Sequence, residues 1–213
     1  MKKITIILLS AALAVNLSAC SIFPGAREQL EMSAYERIHE ALIGMVSYQA
    51  NAIVKFISNK GYNEYNILKQ CRATGEYRIT VTGPEHVAGN ITVFDGNIIA
   101  QFNTNIAGKI SVGTQETQER SEILVTTFVR NFINSHEISV TAASMGESRL
   151  TVLEAVIPGD HPYLATEKLW VDNETLKPTQ LIIFDSDGNE RIVVTFIDFE
   201  YNVEFDDSIF VAQ

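Results

Sequence analysis

Leu169 to Phe205, LWVDNETLKPTQLIIFDSDGNERIVVTFIDFEYNVEF, decides the fold class because it reads as three consecutive antiparallel strands. The first ends at Trp170-Val171, and Asp172-Asn173-Glu174-Thr175 supplies a polar turn. Leu181-Ile182-Ile183-Phe184 forms the second, with Pro178 placed at its start, where only a peripheral donor is lost. Asp185-Ser186-Asp187-Gly188-Asn189 is a hairpin loop of the short, glycine-containing kind. The third strand runs from Ile192 to Tyr201: apolar on both faces at first, then alternating, with Phe196, Ile197 and Phe199 against Asp198 and Glu200. A strand apolar on both faces is expected to be covered on both.

Working outward, the chain alternates between hairpins and two amphipathic helices. Tyr35, Ile38, Leu42 and Met45 recur at steps of three and four and predict a helix from about Arg27 to Ser47. Strands follow at Tyr48–Ser58 and Tyr62–Gln70 around Asn59-Lys60-Gly61, then at Glu76–Val81, Ile91–Phe94 and Asn97–Phe102, the last two flanking Asp95-Gly96. Residues 106–112 predict a further short strand. Leu124, Val125, Phe128, Val129, Phe132 and Ile133 mark a second helix from about Ser121, its expected N-cap, to Asn134. Leu150–Ile157 and Tyr163–Val171 lead back to the opening stretch, for about ten or eleven strands in one domain.

The first twenty residues carry a processing signal. Lys2 and Lys3 precede an apolar run from Ile4 to Val15 that is short for a bilayer span, and Leu17-Ser18-Ala19-Cys20 follows. This arrangement is similar to a bacterial lipobox and predicts a signal peptide over residues 1–19 and lipidation of Cys20. Residues 20–33 would then be a lipidated N-terminus and tether, and 34–213 a single domain. With Cys20 carrying lipid, Cys71 has no partner within the chain and reads as a small strand residue, with a covalent dimer as the alternative.

The formal charge is −10, and losing Lys2 and Lys3 with the leader makes it −12. Such a surface argues against nucleic acid and against electrostatic adhesion to anionic lipid, so membrane attachment is expected through acyl chains. His39, His86, His136 and His161 stand at no metal-ligand spacing. Asp185 to Asn189 lacks the glycine at position six and the glutamate at position twelve that a calcium loop needs, and Asp206-Asp207 reads as a solvated acidic pair. No G-x-S-x-G, H-E-x-x-H or phosphate-cradling loop is present. The expectation is therefore no catalytic residue, no bound metal, no cofactor and no enzyme. Partner-contacting residues are not readable.

Several segments together resemble the LolA-like superfamily of lipoprotein carriers and sorting proteins. They are Gly75-Glu76-Tyr77-Arg78-Ile79-Thr80-Val81 with Thr82-Gly83-Pro84, Asp95-Gly96-Asn97, Val171-Asp172-Asn173-Glu174-Thr175-Leu176-Lys177-Pro178, Phe184 to Asn189, and Asp207-Ser208-Ile209-Phe210. The resemblance implies an α+β, mainly β fold: a strongly curved antiparallel sheet forming an unclosed half-barrel covered by helices. In carrier members the hollow accepts acyl chains, but those carriers are soluble, whereas Cys20 would tether this chain. The lipobox, size and acidity also resemble the GerS-like spore-germination lipoproteins of clostridia. That resemblance implies a non-catalytic, membrane-anchored protein that binds and activates a spore-cortex N-acetylmuramoyl-L-alanine amidase, with the zinc in the partner and a homodimer within reach.

Overall fold

Hairpins build the sheet. The computed structural model describes residues 33–105, 109–111 and 121–211. Strand β1 (Ser47–Ser58) pairs with β2 (Gly61–Arg72) over twelve residue pairs, from Ser47 opposite Arg72 to Ser58 opposite Gly61. Gly61 leaves the turn at a φ of 134°, a conformation open to glycine. The meander continues through β3 (Tyr77–Gly83), β4 (Asn90–Phe94), β5 (Ile99–Asn103) and β6 (Lys109–Ser111). In the turn between β4 and β5 the Asp95 carboxylate accepts from the Asn97 and Ile98 N–H groups at 2.9 and 2.7 Å.

A second meander holds β7 (Ile138–Met145), β8 (Ser148–Val156), β9 (Thr166–Asp172), β10 (Pro178–Phe184) and β11 (Glu190–Phe196). Antiparallel pairing of β11 with β1 joins the two, giving the order β6-β5-β4-β3-β2-β1-β11-β10-β9-β8-β7, with β12 (Glu200–Tyr201) also on β1. The sheet does not close: it is the open half-barrel that the LolA-like resemblance implies.

The core fills the concave face. Tyr48, Ala50, Ala52 and Val54 alternate inward from β1, and Leu169, Val171, Leu181, Ile183, Ile192 and Val194 continue the same face across β9 to β11. Helix α1 (Ala34–Ile43) lays Ile38 and Leu42 on it, and helix α2 (Val125–Asn134) lays Val125, Phe128 and Phe132. Tyr48 stacks on Phe199 with ring centroids 4.9 Å apart. Among the described residues no helix is long and apolar enough to cross a membrane.

Several expectations need correction. Helix α1 begins after Ser33, whose Oγ accepts from the Glu36 N–H while the Glu36 carboxylate accepts from the Ser33 N–H, a capping box. It ends at Ile43 with Gly44 as its cap, short of Ser47; residues 27–32 lie outside the described ones. Helix α2 starts at Val125, because Leu124, not Ser121, occupies the N-cap position and has no side chain to accept from the first turn. The Tyr48 hydroxyl accepts from the Val125 N–H at 3.2 Å instead, relieving one orphan donor from across the core.

The strand expected over Ile192–Tyr201 breaks after Phe196. The Asp198 carboxylate accepts from the N–H and Nδ2 of Asn51, and the Asn51 carbonyl accepts from the Ile197 N–H, so the chain bulges there. Only its concave side is covered. Ile192 and Val194 are buried, while Thr195 and Ile197 are exposed. Strand β7 went unread, and the short strand of residues 106–112 is described only over Lys109–Ser111. Asp206 and Asp207 are not merely solvated: Asp206 caps a 3₁₀ turn through the Ser208 N–H, and Asp207 lies 2.6 Å from the Arg72 guanidinium.

Candidate functional site

Over β2 to β5 the concave face leaves a hollow of about 580 Å³. Its floor is apolar, from Val54, Phe56, Tyr65, Ile67, Ile79 and Val81, because inward positions of β1, β2 and β3 alternate to that face. Its far wall is polar but neutral. Asn90 stands opposite Asn103 and Thr92 opposite Gln101; Asn103 Nδ2 donates to Asn90 Oδ1 at 2.7 Å, and Gln101 Nε2 to Thr92 Oγ1 at 3.2 Å. Among the described lining residues there is no carboxylate, histidine, lysine, arginine or cysteine. The hollow can hold an apolar or amphiphilic body by exclusion of water. The hydroxyls of Tyr65 and Thr92 and the amides of Asn90, Gln101 and Asn103 are the polar side-chain groups of its described lining.

Ile123 closes one side of the hollow, and buried polar groups flank it in sequence and space. Lys69, fully buried on β2, donates from Nζ to the Ile123 carbonyl at 2.5 Å and lies 5.1 Å from the Phe196 ring centroid. Burial pushes its pKa down to about 7, against the opposite pull of Cys71. On β9, Glu167 is fully buried and accepts from Asn131 Nδ2 at 2.8 Å; the same amide donates to Glu122 at 3.1 Å. Burial, reinforced by the charge of Glu122, pushes Glu167 up to about 8, with the Asn131 hydrogen bond and Arg130 pulling the other way. Its Oε2 is buried without a hydrogen-bond partner. The sequence reading singled out neither Lys69 nor Glu167.

The residues that the sequence did single out are dispersed. Cys20 lies outside the described residues. Cys71 is buried opposite Tyr48 on the neighbouring strand with its thiol pushed up by burial to about 12, so a disulfide to another chain would require unpacking the core. The Asp185 carboxylate is occupied within its own turn, accepting from the Asn189 and Asp187 N–H groups and pairing with Arg191 at 2.7 Å. Among the described residues no cluster of three His, Cys, Asp or Glu side chains could hold a metal ion.

The family model described as Sporulation protein YdcC-like matches residues 1–210. The chain belongs to that family. No curated protein matches it. Among solved structures, that of the CwlD amidase from Clostridioides difficile in complex with the GerS lipoprotein contains a chain 27% identical, covering 79% of this chain and 94% of that one, at a TM-score of 0.50. An uncharacterized conserved protein from Thermus thermophilus is 10% identical over 85% of this chain and 95% of its own, at 0.53, a likeness of fold alone. LolA superfamily protein NE2245 from Nitrosomonas europaea is 14% identical over 84% and 96%, at 0.46. The chain is thus a member of a sporulation family, and a chain in a lipoprotein–amidase complex is similar to it over most of both lengths.

Proposed function

We propose that this protein is a non-catalytic lipoprotein that binds and activates a spore-cortex N-acetylmuramoyl-L-alanine amidase. The observation that carries the reading is the 27% identity, over most of both chains, to a structure that pairs the GerS lipoprotein with an amidase. Membership in a sporulation family agrees with it. In this reading residues 1–19 are removed, Cys20 carries the lipid, residues 20–33 tether the domain of residues 34–213 to the extracytoplasmic face of a membrane, and the zinc belongs to the amidase. The test mixes the purified protein with the amidase of the same organism. A stable complex, with a rise in muramoyl-amide hydrolysis or in retained zinc, is expected. No complex, with activity and metal content unchanged, overturns the reading.

A second reading has an observation of its own in the hollow: its apolar floor and volume suit one acyl chain. Protein made without its leader in a lipid-rich host should then carry one lipid per chain in native mass spectrometry, and I79K should abolish it. An empty wild-type protein would remove this reading and leave the first in place.

A further inference from the structure

Among the described residues the sheet ends at β7, with no strand paired on its outer edge. Strand β7 pairs with β8 from Ile138 opposite Ala155 to Met145 opposite Ser148 without a register shift, so every second one of its eight residues turns its N–H and C=O to the other edge, where no described strand pairs. Sheets ordinarily blunt such an edge with lysine, proline, a bulge or extreme shortness. None of these is present: Ile-Ser-Val-Thr-Ala-Ala-Ser-Met carries neither charge nor proline. The opposite end, β6, spans three residues and begins on Lys109. Both faces of β7 are open as well, with Ile138 50%, Val140 40% and Met145 57% exposed. Val140 stands opposite Leu153, which lines the apolar groove between Ile43 of α1 and Ile133 of α2. The edge therefore runs beside an apolar shelf.

We propose that the free edge of β7 is the docking edge for the partner amidase, which adds to it an extended segment uncharged at its centre and basic at its ends. This inference rests on the amidase reading above. Added strands gain affinity from main-chain hydrogen bonds and specificity from alternate side chains, which matches an edge with intact backbone groups and apolar residues at Ile138 and Val140. Charge selects the occupant. Glu137 and Glu147 flank the uncharged strand on a chain of net charge −10, so a partner with lysine or arginine at both ends is favoured. A second copy in the register centred on Ala142 is disfavoured by the same residues. In the two-fold antiparallel register centred on Ala142, Glu137 of one copy stands opposite Glu147 of the other at both ends, a like-charge pairing.

The experiment measures binding of the purified amidase to the full chain in detergent, for wild type and for V140K and A142K. Both positions are solvent-accessible, so each variant should fold, as thermal unfolding checks. Lysine is a residue with which sheets blunt a free edge, and about tenfold or greater loss of affinity is expected for each, with unchanged unfolding temperatures. If wild type binds and both variants bind equally well, the edge is overturned and the amidase reading survives. If wild type does not bind, both fall. If wild type instead sediments as a dimer that V140K dissociates, a second copy is the occupant and the proposal is overturned.

Discussion

At pH 8 the E167Q variant should unfold roughly 5–15 °C above wild type, and at pH 5 the two should unfold within about 4 °C of each other. Glu167 is fully buried, with one oxygen on Asn131 and the other without a partner. Its folded-state pKa stands near 8, raised from 4.5 by burial and by Glu122. A raised carboxyl pKa means that the folded state holds a proton which the unfolded state has released. The stabilising proton is fully in place below about 4.5, and stability is lost as pH rises from there through about 8. At about 1.36 kcal/mol per unit the loss is on the order of 3–5 kcal/mol. Glutamine keeps the shape and the acceptor for Asn131 but cannot ionise. Lys69 contributes with the opposite sign. Its pKa is depressed to about 7, so stability is lost as pH falls from about 10.5 towards 7 and does not change further below that. The wild-type curve should therefore pass through a minimum between about 7 and 8, and E167Q should keep only the Lys69 limb. An E167Q-minus-wild-type difference that is the same at pH 5 and pH 8 would show that Glu167 does not hold its proton in the fold.

These two buried ions show how far the sequence could be read. Alternation places Ile67, Lys69 and Cys71 on one side of β2, and Glu167, Leu169 and Val171 on one side of β9. The positions were legible, but nothing local in the sequence marks a lysine or a glutamate there as buried rather than solvent-facing. Hairpin turns such as Asp95-Gly96 and Asp185 to Asn189 were legible because their chemistry is local. The start of α2 was not, since its capping hydroxyl comes from Tyr48, 77 residues away. Strand β7 escaped for another reason. It buries neither face, so selection for core packing leaves no strong alternation in its sequence. The hollow's polar wall consists of ordinary amides and hydroxyls until register sets Asn90 beside Asn103 and Thr92 beside Gln101. What was legible follows from neighbours in sequence; what was missed follows from pairing at a distance or from the absence of packing.

F128A should cost about 3–5 kcal/mol, whereas I133A on the same helix should cost less than about 1 kcal/mol. Phe128 is fully buried, stacks on Phe132 with centroids 5.8 Å apart, and shares the apolar groove with Leu42 and Leu153. Ile133 is 54% exposed. Alanine is the better helix former at both positions, so a large loss at Phe128 would measure docking of α2 on the sheet rather than helix propensity. Docking also holds the acid site together, because Asn131 on α2 is the hydrogen-bond donor to Glu167 and to Glu122. Loosening the helix admits water to Glu167 and removes the burial that raises its pKa. The fall in stability between pH 5 and pH 8 should accordingly be shallower in F128A than in wild type. Denaturant midpoints at the two pH values measure both effects. Equal losses in F128A and I133A would mean that α2 is not seated on the concave face. A large loss in F128A with an unchanged pH slope would mean that the site around Glu167 is held by the sheet alone.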